Sequence, residues 1–177
     1  NQAAESLWNK NSTLSTIEIS IKSLTKGISS IKNLSYDQTN IHYWEEMSQC
    51  SILSGLAICQ TKTALCHSIS YPLTSHFNIP HGIACAFTMP SVLNFCLEKD
   101  DGRFLKLAKN FGITDNYKSK LKIIFNQLNA QFGITALIKK KIKSEKELLK
   151  LINKMYDPSR ADNLIRKVEF SDICLLY

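Results

Sequence analysis

The sequence predicts an all-α fold, and three observations support this prediction. Apolar residues recur at every third or fourth position along most of the chain, which is the spacing of one helix face. No segment alternates apolar and polar residues for long enough to indicate a half-buried strand. The chain has 177 residues and is 44% hydrophobic, so it can bury one core of ordinary domain size. We expect about seven to nine helices in one domain.

The first half of the chain contains four predicted helices. The chain opens inside a helical pattern at residues 3–7, so we expect it to be part of a longer protein. The second helix follows the Ser-Thr pair that ends at Thr13, because both residue types cap helix starts. The third spans about 41–59. The fourth spans 61–77 and is bent by Pro72, which has no backbone N–H to donate.

Five further helices are predicted at about 81–97, 104–111, 119–132, 144–156 and 171–177, with a turn at 157–160 before the last. Pro80 favours a helix that starts directly after it, whereas Gly112 and Gly133 are typical of helix C-termini. Ser144 and Glu147 have the spacing of a capping box, in which each side chain bonds the backbone N–H of the other residue.

Composition and charge make two kinds of partner unexpected. The chain has 22 basic and 15 acidic residues, and 22 − 15 gives a net charge of +7. The basic run Lys139, Lys140, Lys141 and Lys143 lacks the interleaved aromatic residues that stack on single strands, so we expect a solvated helix face there. No apolar run reaches the ~18 residues that indicate a membrane span. We therefore expect neither a nucleic-acid partner nor a membrane partner.

The cysteines and the absence of a visible signal peptide predict a cytoplasmic protein. None of the six cysteines forms the C-x-x-C pair of structural zinc sites. Most lie in apolar, helix-like stretches, where free cysteine behaves as a small buried hydrophobe. Disulfides are rare in the cytosol, and the chain shows no basic segment followed by a short apolar one.

Histidines supply the candidate metal ligands: His42, His67, His76 and His81. Imidazole is a usual ligand for iron and zinc. His67 and His81 are fourteen residues apart, which on one straight helix would separate them by about 21 Å. Pro72 and Pro80 interrupt that path, so the chain can turn back and bring both rings into one cleft. The spacing alone also allows both histidines to be ordinary core or surface residues.

The residues around this pair resemble a family signature. The segment from His67 reads His-Ser-Ile-Ser-Tyr-Pro-Leu, and Ile79 is followed by Pro-His-Gly-Ile-Ala. This is similar to H-x-x-x-H-P-L-G followed by P-H-G-x-A, the signature of the iron-containing (group III) alcohol dehydrogenases. That family's two C-terminal metal-binding histidines match His67 and His81. The segments around Glu5 and at 157–163 also resemble the family, so the resemblance covers essentially the whole chain.

The resemblance implies that residues 1–177 are the C-terminal helical domain of a two-domain enzyme, with a dehydroquinate synthase-like α fold. The N-terminal domain, a Rossmann-like fold that binds NAD(P), would be absent from this chain. The implied reaction is hydride transfer between NAD(P) and a small alcohol or aldehyde, with a metal that polarises the substrate oxygen. Fe(II) is the family's usual metal, and zinc would also suit imidazole ligands. We expect a homo-oligomer, a dimer, and an inactive isolated chain.

Three positions depart from the family pattern or add to it. Gln2 falls where the family has another ligand histidine, so the expected metal ligands are His67, His81 and Gln2. Tyr71 replaces the second histidine of the signature and is expected to act in catalysis as a proton relay, although its ordinary pKa is about 10. Lys62 is expected to meet an anionic substrate group. These departures resemble reductases of phosphonate or surface-polysaccharide biosynthesis, which implies an anionic aldehyde such as phosphonoacetaldehyde.

Other functions compete with this interpretation. A non-catalytic helical domain with a degenerate metal site, serving assembly or regulation, is favoured by the loss of histidine at Gln2. A basic nucleic-acid binder would show strongly salt-dependent affinity. A dehydroquinate synthase-like lyase would share the two-domain architecture, but the P-H-G-x-A motif belongs to the dehydrogenases. Metal analysis of the full-length protein separates the first alternative from the dehydrogenase, in which His42 and His76 are expected to be bystanders.

Overall fold

The computed structural model describes residues 1–173, which contain twelve α-helices and no strand. In chain order these are α1 (Gln2–Leu7), α2 (Leu14–Leu34), α3 (Ile41–Thr61), α4 (Leu65–Phe77), α5 (His81–Cys96), α6 (Arg103–Asn110), α7 (Tyr117–Gln131), α8 (Ile134–Lys141), α9 (Glu145–Leu149), α10 (Ile152–Met155), α11 (Pro158–Ala161) and α12 (Phe170–Ile173). One isolated antiparallel bridge joins Asn9 to Leu164. The predicted all-α fold is confirmed.

The two longest helices, α2 and α3, form an antiparallel pair. Thr13 caps α2 in a capping box, and the side chain of Asn40 caps α3. The Ser23 hydroxyl donates to the Cys50 carbonyl at 2.9 Å, and so bonds the two helices directly in the buried seam between them. This pair packs against α1 and therefore forms one wall around the amino end of the chain.

Three fully buried aromatic rings lie at the centre of the core. Trp8 follows α1, and its ring centroid lies 6.4 Å from that of Phe104 on α6 and 6.4 Å from that of Phe125 on α7. The buried Arg103 guanidinium donates to the Leu7 carbonyl at 2.8 Å and to the Asn9 carbonyl at 2.7 Å. Because these bonds satisfy carbonyls at the end of α1, they fix that helix in the core.

The predicted helix at 61–77 is wrong at its start. The preceding helix α3 continues through Thr61, and α4 begins only at Leu65. Between them Lys62 has φ = +65°, a backbone conformation that residues with a Cβ rarely adopt. The Asn9 side chain stabilises this break by donating to the carbonyls of Thr61 and Lys62 at 2.9 and 3.3 Å. The sequence does not reveal these long-range hydrogen bonds.

Helix α8 was not predicted. Gly133 indicates a helix end, yet α8 begins directly after it. The turn at Gly133, with φ = +60°, redirects the chain so that Ile134 and Ile138 become buried. Lys139, Lys140 and Lys141 are exposed, in agreement with the predicted solvated face.

In the C-terminal part of the chain, the helices begin and end at different residues from those predicted. The single helix predicted at 144–156 is two short helices, α9 and α10, because the chain turns at residues 150–151 to bury Leu151 and Ile152. The predicted turn at 157–160 is largely the helical turn α11. The predicted last helix begins earlier, at Phe170, and its remainder at 174–177 lies outside the described residues. Among the described helices, none has the length and apolar character needed to cross a bilayer.

Candidate metal centre

The amino end of α4 is capped by a side chain from α1. Its own N-cap residue, Ala64, has no side chain that can accept a hydrogen bond. The Glu5 carboxylate instead accepts the backbone N–H of Ala64 at 2.8 Å and that of His67 at 3.1 Å. Glu5 is fully buried, and a buried charge is tolerated when hydrogen bonds and the positive end of a helix dipole compensate it.

The same carboxylate orients the His67 ring. Nδ1 of His67 lies 2.6 Å from Oε2 of Glu5, and the two side chains are 7% and 0% exposed. Nε2 of His67 has no hydrogen-bond partner in the part of the chain that the structure describes. Metal-binding histidines commonly bond a carboxylate through one ring nitrogen, which fixes the ring and makes the other nitrogen more basic. The Glu5–His67 pair has this arrangement.

His81, the first residue of α5, lies beside His67. Their ring centroids are 5.2 Å apart with an interplanar angle of 63°. Nδ1 of His81 is 3.3 Å from the Ser70 hydroxyl of α4. The structure therefore brings together two histidines that are fourteen residues apart in the sequence, because α5 turns back along α4.

Cys85 joins the two histidines to make a group of three metal-binding side chains. One ligand atom from each of His67, His81 and Cys85 lies within 4.8 Å of the other two. The Cys85 Sγ is 3.7 Å from Nε2 of His81, and Cys85 is only 1% exposed. Cys85 was not predicted as a site residue, although its position four residues after His81 places both on one helix face.

The surroundings of His81 and Cys85 favour the neutral form of each side chain. Partial burial of the His81 ring, followed by the proximity of His67, lowers the pKa of His81 below its ordinary value and so favours the neutral imidazole. Burial raises the pKa of the Cys85 thiol to about 11. A neutral imidazole has a lone pair available for a metal, whereas a thiol must lose its proton to bind one.

A tyrosine and an arginine extend from the histidines toward solvent. The Tyr71 ring is nearly parallel to that of His81, with an interplanar angle of 16° and centroids 5.7 Å apart. The Arg160 guanidinium carbon lies 4.9 Å from the centroid of the Tyr71 ring. Nη1 of Arg160 pairs with Asp157, whereas its buried Nε has no hydrogen-bond partner within the described residues. Arg160 was predicted only as part of a turn, so its contact with Tyr71 was not expected.

The other predicted residues lie in different surroundings. Gln2 is exposed, and its amide oxygen accepts a hydrogen bond from Ser54 on α3 at 3.2 Å. Lys62 is exposed in the α3–α4 connection, and its ammonium forms no ion pair with the described residues. His42 lies near two glutamates of α3, and His76 contacts Lys154. Neither of these two histidines belongs to the group of three.

Most of the chain matches a known protein family. Residues 2–168 match the model of the Fe-containing alcohol dehydrogenase family, C-terminal. The chain belongs to this family. The curated relatives of the chain include alcohol dehydrogenases and aldehyde reductases, which are oxidoreductases.

Two curated relatives and one solved structure illustrate the similarity. The chain is 31% identical over 77 residues to the NADPH-dependent butanol dehydrogenase of Clostridium saccharobutylicum, covering 44% of this chain and 20% of the relative. It is 30% identical over 94 residues to the phosphonoacetaldehyde reductase of Streptomyces viridochromogenes, covering 53% and 24%.

The fold is also that of sulfoacetaldehyde reductase from Bifidobacterium kashiwanohense, solved in complex with NAD+. The TM-score is 0.85 at 21% identity, over 99% of this chain and 46% of that one. The chain thus spans less than half the length of these relatives.

Proposed function

We propose that the protein is a metal-dependent, NAD(P)-linked aldehyde reductase or alcohol dehydrogenase, and that this chain carries its metal-binding half. One observation carries the proposal: the rings of His67 and His81 lie side by side with centroids 5.2 Å apart, and the Glu5 carboxylate holds His67 through Nδ1, which leaves Nε2 available for a metal. The reaction class of the named relatives, all reductases or dehydrogenases, supports it further.

The donors present fit a divalent metal such as Fe(II) or zinc. His67 is buried and its Nε2 has no hydrogen-bond partner among the described residues, and the lowered pKa of His81 favours the neutral imidazole that binds a metal. Gln2 remains a proposed ligand, and to bind it would exchange its hydrogen bond with Ser54. When bound, the metal supplies Lewis-acid polarisation of the substrate oxygen.

Tyr71 is the residue that we propose moves a proton. Hydride addition to an aldehyde leaves a negative charge on the substrate oxygen, and a nearby hydroxyl can neutralise it. Tyr71 stacks on His81 and is 44% exposed, so its ring lies where substrate would approach the cleft. Its hydroxyl has no hydrogen-bond partner within residues 1–173 and is free to serve the substrate.

The substrate that we propose is a small aldehyde with an anionic group, such as phosphonoacetaldehyde. Arg160 and His81 both contact the Tyr71 ring, so a molecule with an aldehyde and an anion a few atoms apart can reach both. Guanidinium groups bind phosphonate-like oxygens well because their donors form a planar fork. Lys62 is a second candidate cation for the same group.

The remaining parts of the enzyme lie outside this chain in the proposal. A Rossmann-like N-terminal domain would bind NAD(P) and hold the nicotinamide against the substrate. We also propose a cytoplasmic homodimer. Hydride transfer requires both reactants to be held in register, so we expect the isolated chain to be inactive. We also expect it to show no saturable binding of NAD(P)H at micromolar concentration, which fluorescence or calorimetry would measure.

The test uses the full-length protein, stripped of metal and reloaded with Fe(II) or zinc. NADH and NADPH oxidation is measured with phosphonoacetaldehyde, sulfoacetaldehyde and butanal. We expect metal-dependent turnover with higher kcat/KM for the two anionic aldehydes. Equal turnover in stripped and reloaded protein would contradict the metal's role. A protein that binds no stoichiometric metal and reduces no aldehyde would favour the non-catalytic alternative.

A further inference from the structure

Ser70 connects the two histidines of the candidate metal centre. It lies on α4 and is fully buried. Its hydroxyl donates to the His67 carbonyl at 2.8 Å, which is the bond that a helical serine commonly makes to a carbonyl three residues earlier. The same oxygen lies 3.3 Å from Nδ1 of His81 on α5. One small side chain therefore contacts the backbone of the first histidine and the ring of the second.

The direction of the contact between Ser70 and His81 follows from the number of hydrogens. A serine hydroxyl has one hydrogen to donate and two lone pairs that accept. The shorter contact, with the His67 carbonyl, uses that hydrogen, because a carbonyl oxygen can only accept. The Ser70 oxygen then serves His81 as an acceptor, so Nδ1 of His81 carries the proton. A neutral imidazole with its proton on Nδ1 has its lone pair on Nε2.

Two other neighbours of the His81 ring are compatible with this assignment. The Cys85 Sγ lies 3.7 Å from Nε2 and 3.9 Å from Nδ1, and these nearly equal distances place the sulfur against the ring, where it favours neither nitrogen. The Tyr71 ring is stacked on the His81 ring with an interplanar angle of 16°, so it restricts the plane of that ring. Among the described residues, Ser70 is the neighbour that distinguishes the two ring nitrogens.

The arrangement at His81 matches the one at His67. An ionised carboxylate has no proton to donate, so Glu5 accepts from Nδ1 of His67 at 2.6 Å. An acceptor at Nδ1 leaves Nε2 of each ring as the atom that can bind a metal. Histidines that bind metals commonly donate their other N–H to a nearby oxygen. In this chain a carboxylate supplies that oxygen for one histidine and a hydroxyl supplies it for the other.

We propose that Ser70 is a positioning residue for His81: its hydroxyl holds the Nδ1 proton and so keeps the Nε2 lone pair available for the metal. The inference rests on the proposed function and adds a residue that acts through His81 without touching metal or substrate. Without the hydroxyl, the proton of His81 is free to move to Nε2. A smaller fraction of the protein then presents a lone pair to the metal.

The experiment measures which nitrogen of His81 carries the proton in metal-free full-length protein. Long-range ¹⁵N–¹H correlation spectra are recorded with ¹⁵N in the histidine rings, at about pH 8.5, well above the ordinary imidazole pKa of about 6.5. His81→Ala identifies the signals of this ring. We expect a proton on Nδ1 and none on Nε2, and one equivalent of Zn²⁺ should shift the Nε2 signal and leave Nδ1 protonated. A proton on Nε2 in the unsubstituted, metal-free protein would overturn the inference without any Ser70 variant.

Variants then test Ser70 itself. Ser70→Ala should lower the fraction of His81 that is protonated at Nδ1. It should also weaken Zn²⁺ binding by about 10-fold, the lower end of the usual range for partners of ligand histidines, because a neutral hydroxyl holds the proton less strongly than a carboxylate does. Ser70→Thr keeps the hydroxyl and should restore both. The matched control is Ser75→Ala, which should change neither, since Ser75 lies on the same helix and its hydroxyl contacts Nδ1 of His76 at 2.9 Å.

The possible outcomes separate the role of Ser70 from the proposed function. An unchanged tautomer of His81 and an unchanged Zn²⁺ affinity in Ser70→Ala would overturn the inference and leave metal dependence intact. A lower Zn²⁺ affinity with the tautomer unchanged would assign Ser70 a packing role, which also overturns the inference. Failure of the unsubstituted protein to bind stoichiometric Zn²⁺ or Fe(II) would overturn the proposed function, and the role of Ser70 in metal binding with it.

Discussion

A 2.6 Å hydrogen bond joins the buried Glu5 carboxylate to Nδ1 of His67, across 62 residues of sequence. The carboxylate also accepts two backbone N–H groups at the start of α4, so one side chain both caps the helix and orients a metal-binding ring. Its position is fixed in turn by Arg103, which holds the carbonyl end of α1. The candidate metal centre is therefore built on the packing of α1 rather than on α4 and α5 alone.

Glu5→Gln should weaken metal binding by about 10–100-fold, the usual effect of losing the carboxylate partner of a ligand histidine. Glutamine keeps one acceptor oxygen, but its amide N–H₂ would face a backbone N–H or the His67 ring. Metal affinity measured by competition with a chromogenic chelator checks this. The control is Glu18→Gln, since Glu18 is exposed and forms a surface ion pair with Lys106. Unchanged affinity in Glu5→Gln, with normal folding, would show that Glu5 does not position the ligand.

His81→Ala should remove metal and activity together, because it deletes one of two imidazoles that meet in the cleft. His76→Ala is the matched control, because His76 lies on the same helix as His67 but bonds only Ser75, a backbone carbonyl and Lys154. Metal content by elemental analysis and NAD(P)H oxidation are measured on both variants. A loss in His76→Ala as large as that in His81→Ala would mean that the wrong histidine has been assigned.

Much of the fold was predictable because helix periodicity and capping are local properties of the sequence. Thr13 caps its helix as predicted, and the Ser144 side chain accepts the backbone N–H of Glu147, which is one of the two bonds of the predicted capping box. The errors fall where distant residues decide the backbone. The break at Lys62 depends on hydrogen bonds from Asn9, and the direction of α8 depends on burial of Ile134 and Ile138. Such contacts have no signal in a local window of sequence.

The candidate site was predictable to a different extent. The residues of the signature motif identified His67 and His81. The spacing between the two histidines would not have identified them, because it is compatible with many structures. Cys85 was overlooked because an isolated cysteine in an apolar helix usually packs as a hydrophobe. Arg160 lies 89 residues after Tyr71 in the sequence, and only the packing of α11 against α4 brings them together.

Asp101→Asn should destabilise the protein in a pH-dependent manner. Asp101 bonds Nε and Nη2 of Arg103, both at 2.7 Å, and this pairing lowers the pKa of Asp101 below 3.8. Its stabilising contribution is therefore present above the unfolded-state pKa and is lost as pH falls through the lower folded-state pKa.

Because the Asp101 side chain is 55% exposed, we expect a loss of only about 1 kcal/mol in the free energy of unfolding at pH 7. The difference from the unsubstituted protein should shrink below about pH 4. Urea unfolding of both full-length proteins at several pH values measures this difference in the free energy of unfolding. Asp162→Asn, at an exposed aspartate outside this pair, is the control, and a difference that grows on acidification would contradict the argument.

Arg160→Gln should reduce kcat/KM for phosphonoacetaldehyde by about 10–100-fold, because a hydrogen bond to a charged group contributes roughly 1.5–3 kcal/mol. The neutral aldehyde butanal has no anion for Arg160 to bind, so its kcat/KM should change little. Lys62→Gln, measured in parallel, decides between the two cations that we propose for binding the anionic group. We expect the larger loss at Arg160, which contacts the ring stacked on His81. An equal loss for both aldehydes would indicate that Arg160 supports Tyr71 structurally and does not select an anionic substrate.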